Sequence, residues 1–213
     1  MTVSIKERPI LFSAPMVRAI LDGRKSQTRR VVKPQFDHDA EPCEVLATTI
    51  EGWADYQGHS GLWAHEGDPG ETTVKFQYGK TGDRLWVREA WKALAEYDHL
   101  APRDIPVGTD ISYPATYDGW VSRGRPSIHM PRWSSRILLE IVRVRVERLQ
   151  DISEADAVAE GCPGCLGPNP DFPDEWDPTP QEEFCDLWKT INGAESWNAN
   201  PWVWVVEFKR VTP

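Results

Sequence analysis

The stretch Leu21 to Gln35, LDGRKSQTRRVVKPQ, sets Lys25 and Thr28 three positions apart among the cations Arg24, Arg29, Arg30 and Lys33. A threonine hydroxyl is a weak nucleophile until a neighbouring base takes its proton, and a lysine can be that base once its pKa falls. Desolvation and nearby guanidiniums both push a lysine in that direction. A carboxylate brought in from elsewhere would orient the lysine or shuttle the proton. Residues three apart share no face on a straight strand, but they do in a helical turn or tight bend. A solvated basic turn with no chemistry fits the same spacing, and on spacing alone it is the more economical reading.

The flanking pattern supplies such a bend. RPILFSAPMVRAILDGRK reads as a short strand, a helix and a stop: Ser13 at the cap, Pro15 in the first turn, and Met16, Val17, Ile20 and Leu21 on one face. Gly23 stands where a left-handed helix end is expected, and RRVVKP then reads as extended. Lys25 and Thr28 therefore fall at a helix–strand joint.

Further elements complete an α+β chain. GDRLWVREAW reads as a strand, and DISYPATY as a shorter one. RILLEIVRVRVERL is the clearest strand pattern, but its phase changes: Ile137, Leu139 and Ile141 share one parity, Val142, Val144 and Val146 the other. Either a one-residue bulge near Ile141 keeps both sets facing the core, or one end of the strand is buried on both faces. SEADAVAEG reads as a short helix with Ser153 and Asp156 at capping spacing, ending at Gly161. TPQEEFCDLWKTING opens with Thr179, Pro180 and Glu182 at cap positions and stops at Asn192-Gly193. PWVWVVEFKRV alternates, with Trp202, Trp204, Val206 and Phe208 on one face, which favours a core role over base stacking. Segments 36–80 and 161–180 read as loop insertions in a single domain spanning 1–213.

Composition bounds the function. The 213 residues carry a formal charge of -9, yet Arg18–Lys33 and Val121–Arg148 are each +5, and Asp151–Asp186 holds eleven acids and no Lys or Arg. This segregation suits an anionic or polar ligand, and equally a set of separate solvated faces. No apolar run is long enough to span a bilayer and no leader is evident, so a cytoplasmic protein with no membrane partner is expected. Cys162 and Cys165 have the spacing of half a zinc site, but Cys43 and Cys185 are isolated and the five His form no cluster. No metal or cofactor is expected, and no phosphate-loop, dinucleotide or serine-hydrolase motif is present.

GRKSQTRR resembles the G-x-K-x-x-[T/E]-x-R signature of the ASCH domain family, whose fold is a PUA-like, small curved β-barrel with flanking short helices. GDRLWVREAW resembles the family's Gly-Asp strand, and LQDISEADAVAEG its helix ending in Glu-Gly. FCDLW with NPWVWVVEFKRV resembles its closing helix and strand. The likeness extends to ASCH proteins encoded by phages and prophages, which are longer than the minimal domain. It implies a bacterial or phage-infected cytoplasm. One family activity is N4-acetylcytidine amidohydrolysis by a Lys, a Thr and a Glu. That carry-over implies Lys25 as base, Thr28 as nucleophile and Glu160 as proton-transfer partner. The implied ligand is a small modified nucleoside or nucleotide. Arg24, Arg29, Arg30, Ser127, His129 and Arg132 are candidate binding groups. PUA-like barrels also bind RNA, so an RNA or modified-nucleotide binding module is the alternative expectation, and a ribonuclease a third.

Overall fold

The structure is a computed structural model describing residues 5–33, 35, 77–164 and 178–212, and the backbone alone of 41–43, 60–64 and 72–75. Its centre is a five-stranded sheet of order β1-β6-β9-β10-β2. These strands are β1 (Glu7–Leu11), β2 (Gln27–Val31), β6 (Arg84–Arg88), β9 (Leu138–Arg148) and β10 (Trp202–Val211). β1 and β6 run parallel, and every other neighbour pair is antiparallel. Among the described residues three α-helices accompany it: α1 (Ala14–Leu21), α2 (Glu154–Ala159) and α3 (Pro180–Asn192). The fold is therefore mixed α+β, and among the described residues no helix is long and apolar enough to cross a membrane.

Closure into a barrel, expected from sequence, is not seen among the described residues. β1 and β2 are the sheet's two edges and are joined through α1. They meet through a side chain, since the Arg30 guanidinium donates to the Leu11 carbonyl at 2.7 Å. Within the 36–80 insertion, β3 (Glu41–Cys43), β4 (Ser60–Ala64) and β5 (Thr72–Lys75) pair as a separate antiparallel sheet. β7 (Lys92–Ala93) and β8 (Ile111–Ser112) form a short pair of their own. Most of the 161–180 insertion, including Cys165, lies outside the described residues.

The phase change in β9 is a bulge. Glu207 pairs with Arg143 and Phe208 with Ile141, leaving Val142 unmatched and exposed. The extra residue returns Val144 to the face already used by Leu139 and Ile141. β10 is buried on both faces. Trp202, Trp204, Val206 and Phe208 enter one core with Ile10, Leu85 and the α1 residues Val17 and Ile20. Val203 and Val205 enter a second core with Ala157, Phe184 and Trp188 of α2 and α3. The closing strand is therefore the partition between the two cores.

Helix ends follow their sequence signals with one exception. Thr179 and Glu182 form a reciprocal capping box, and Ser153 accepts from the Asp156 N–H. Ser13 occupies the cap of α1 but makes no side-chain cap bond. The Gly-Asp pair before β6 has a specific task. Gly82 takes φ +88, and the buried Asp83 carboxylate accepts the Lys6 and Lys80 N–H groups at 3.0 and 3.1 Å. It thereby fixes the parallel entry of β1 beside β6. Replacing Asp83 with Ala orphans both donors, so Asp83→Ala should lower unfolding free energy by about 1–3 kcal/mol. Urea denaturation measures this, and an unchanged midpoint would contradict the assignment.

Candidate active site

The Lys25–Thr28 joint is held by backbone bonds before any side chain is considered. α1 ends at Asp22 and Gly23 turns left-handed at φ +74. The N–H groups of Arg24 and Lys25 then both donate to the Ala19 carbonyl at 2.8 and 3.0 Å. Next, the Ser26 N–H donates to Ala159 at the end of α2, and the Ser26 carbonyl accepts from Phe208 of β10. This sends the Lys25 side chain inward, where it is fully buried.

Lys25 lands on Glu160. Its Nζ donates to Glu160 Oε2 at 2.6 Å and to the Glu160 carbonyl at 2.7 Å. Glu160 is the C-cap of α2, so the lysine also serves the helix's carbonyl end, where a cation is favoured. Gly161 makes this approach possible. It adopts φ +94, and a Cβ there would lie 3.1 Å from Ala19 Cβ and 3.4 Å from Lys25 Cβ. The Glu-Gly pair thus combines a buried carboxylate with the absence of a side chain. Burial pushes the Lys25 pKa down, opposed by the charge and hydrogen bond of Glu160 and aided by Arg30; the net direction is downward.

Glu160 is held from its other side by Arg29. Arg29 Nη1 donates to Glu160 Oε1 at 3.3 Å, while Nη2 pairs with Glu147 and stands 3.5 Å from Asp156 Oδ2. Arg145 completes the cluster, bonding Glu147 at 3.0 Å, Asp156 at 2.9 Å, and Glu207. Strand register explains the assembly. Val205 of β10 pairs with Arg145 on one side and Arg29 on the other, so the two guanidiniums share one row of one face. Burial alone would raise the Asp156 pKa, but the Ser153 hydroxyl and the Arg145 and Arg29 charges hold it below its ordinary value.

A narrow cleft of about 60 Å³ opens beside this cluster at the β2 edge. Thr28, Arg29, Arg30 and Glu160 line it from the sheet side. Leu187, Trp188 and Ile191 of α3 form the opposite, apolar wall. The Thr28 hydroxyl has no hydrogen-bond partner among the described residues, whereas Lys25 sits behind Glu160. Thr28, Arg30 and Glu160 thus line one cleft, with Lys25 one bond behind the carboxylate and the Arg29 side chain wholly buried beside it.

The other nominated residues lie elsewhere. Arg24 is exposed and pairs with Asp22. Ser127 and His129 occupy a single 3-10 turn and do not line the cleft. Arg132 pairs with Glu7 away from the cleft, and nearby Arg136 binds the buried Glu89 bidentately. Much of the basic surplus is thus consumed inside the fold. The Cys162 thiol is buried and pushed up to about 12 by desolvation, then by Glu183, with Lys25 opposing. Among the described residues no group of three or more His, Cys, Asp or Glu could hold a metal ion. Sequence reasoning missed Glu147 and Asp156 as partners of Arg29, Arg145 as the second cation that binds them, and α3 as the cleft's second wall. The signal was present in Arg145 and Glu147, two apart on one strand face.

Two substitutions test this geometry. Arg29→Ala leaves three acids without their shared cation and should cost about 3–5 kcal/mol at neutral pH. Because the Asp156 pKa lies below its ordinary value when folded, its pairing stabilises above that value and is lost as pH falls through the folded one. The difference between variant and parent should therefore shrink on acidification, and a pH-independent difference would refute the network. Gly161→Ala should be destabilising and should reduce any activity of the cleft with it. A folded Gly161→Ala protein of unchanged melting temperature would show that the close approach is not required.

Comparison of the chain with protein-family models, curated proteins and solved structures finds no match.

Proposed function

We propose that this chain is an ASCH-type, PUA-like protein that hydrolyses the acyl amide of an N4-acylated cytosine base, nucleoside or nucleotide. The observation that carries the reading is the Lys25–Glu160 contact beside the free Thr28 hydroxyl. These are the three residues that the sequence resemblance nominates, and the lysine and glutamate stand 135 positions apart. Their meeting in a fold built from the same chain supports the resemblance independently of the motif.

In the proposed reaction the Thr28 oxygen attacks the amide carbonyl carbon while its proton passes, by way of the Glu160 carboxylate, to the unprotonated fraction of Lys25. The tetrahedral oxyanion is stabilised by the Arg30 guanidinium, which lines the cleft. Collapse breaks the C–N bond, and the cytosine amine leaves with the proton returned through Lys25 and Glu160. Water then attacks the acyl-threonine ester, releasing the carboxylic acid and restoring the hydroxyl. Glu160 is suited to the shuttle because it touches the lysine and faces the cleft at once. Arg29 is a positioning residue, fixing the carboxylate's second oxygen. The narrow opening admits the planar acyl amide and leaves the remaining ligand at its mouth.

The depressed Lys25 pKa serves this chemistry, since only an unprotonated amine accepts the hydroxyl proton. An RNA or modified-nucleotide binding module, or a ribonuclease, draws less support. Arg29, Arg132, Arg136 and Arg145 from the basic segments are all paired with carboxylates of the fold. Phosphate contacts at the β2 cleft would need such charges free.

Incubation with N4-acetylcytidine should yield cytidine and acetate. Lys25→Ala and Thr28→Val should each lower kcat/KM by about 10²–10⁴-fold. The rate should rise with pH along a limb whose midpoint lies below the ordinary lysine value of 10.5. Absence of turnover in the parent, or full turnover in Lys25→Ala, would refute the proposal.

A further inference from the structure

A second concavity lies in the irregular segment between β6 and β9 and shares no lining residue with the cleft at β2. Its volume is about 320 Å³, within the usual range for a small-ligand site. Its polar lining is entirely basic: His99, Arg123, Arg125 and His129. Leu100, Pro102 and Pro126 add an apolar side.

The platform beneath it is well anchored. Trp91 and Arg125 exchange backbone hydrogen bonds at 3.2 and 2.8 Å, and Trp91 and Met130 are buried in a satellite core. The turn carrying His129 is tied down by Arg88, which donates to the Ile128 carbonyl at 3.1 Å. Arg125 is 4% exposed, and its terminal nitrogens donate to the Leu100 and Tyr97 carbonyls at 3.0 and 2.7 Å. Its guanidinium also stacks over the Trp91 ring, and no carboxylate pairs with it. A buried charge satisfied only by carbonyl dipoles keeps its positive field. Asp98 is the acid whose charge reaches Arg125; its two oxygens accept the Arg123 backbone N–H at 3.0 Å, and it does not line the concavity.

Above this fixed charge the Arg123 guanidinium and the His99 and His129 imidazoles are exposed and have no intramolecular partner among the described residues. An exposed arginine elsewhere in this chain, such as Arg24, folds onto a neighbouring acid. Here three donor groups surround one opening without any acid among them. Several donors converging on one point suit a group with several anionic oxygens, and the arginine fork matches phosphate geometry. The apolar side would accommodate the organic body that carries it.

We infer that this concavity is a binding site for the phosphate group of a small phosphorylated molecule, gripped by Arg123, His99 and His129 over the buried Arg125 charge. The inference stands whether or not the cleft at β2 is hydrolytic, because no residue is shared and no reaction step is involved.

Titration calorimetry of the full chain at low salt tests it, with adenosine 5′-monophosphate as probe and adenosine as the unphosphorylated control. The nucleotide should bind and the nucleoside should not. Arg123→Ala, and separately His99→Ala with His129→Ala, should weaken the nucleotide by about tenfold or more. These side chains are exposed, so the thermal transition should stay in place. Two further arms identify the phosphate's source. Inorganic phosphate binding as tightly as the nucleotide assigns the site to the free anion, and a short single-stranded oligonucleotide binding much more tightly assigns it to a strand's backbone. Equal binding of adenosine and its phosphate, no binding by any phosphate probe, or undiminished affinity in both variants overturns the inference. Hydrolysis of N4-acetylcytidine by Arg123→Ala should match the parent, which separates failure here from failure at the cleft.

Discussion

The contact between Lys25 and Glu160 is the interaction on which the site depends, and it is one that water would otherwise weaken. Both side chains are almost wholly removed from solvent. An isolated charge in that position would be costly, and the pair alone would leave carboxylate oxygens and ammonium protons short of partners. The surrounding fold supplies them. The Glu160 carbonyl takes a second lysine proton, and Arg29 takes the second carboxylate oxygen. Arg29 is in turn balanced by Glu147 and Asp156, and these by Arg145. The chain of compensation runs outward until it reaches the half-buried Glu207.

This outward ordering separates two roles that a charge count merges. The groups at the cleft, Thr28 and Glu160, present a hydroxyl without a partner among the described residues and a carboxylate in contact with an amine. The groups farther out hold geometry. A helix end tied to a lysine, a glycine that lets two helices approach and a strand row that aligns two arginines all converge on one carboxylate. Placement of this kind is what an acid–base partner needs, because reach and orientation come before acidity.

Where local rules govern, the sequence was legible. The parity switch from Ile141 to Val142 marked the bulge, and Thr179, Pro180 and Glu182 marked the start of α3. Gly23 and Gly161 marked helix ends, and both take positive φ. The trio of Lys25, Thr28 and Glu160 was nominated by resemblance, since nothing local links Glu160 to a lysine so far away. What stayed hidden was decided by register and by packing between distant segments. Arg29 among cations looks like a ligand contact until β2 is laid against β10, when it turns into an internal ion pair. The open sheet edge was equally illegible, because strand pattern reports faces and not closure. His129 and Ser127 sit in turns without periodicity, so their neighbours could not be read at all.

Ser26 lies where three distant parts of the chain are stitched together: the joint after α1, the end of α2 through Ala159, and β10 through Phe208. None of these segments carries the site alone, and bringing them together closes two very long loops. The pocket therefore depends on contacts between segments far apart in sequence, whose formation carries a loop-closure cost. Between β6 and β9, by contrast, the chain builds a small core of its own around Trp91 and Met130 and returns without passing through this junction. That segment can change in length while β6 keeps its place in the sheet and the three-way stitch stays where it is.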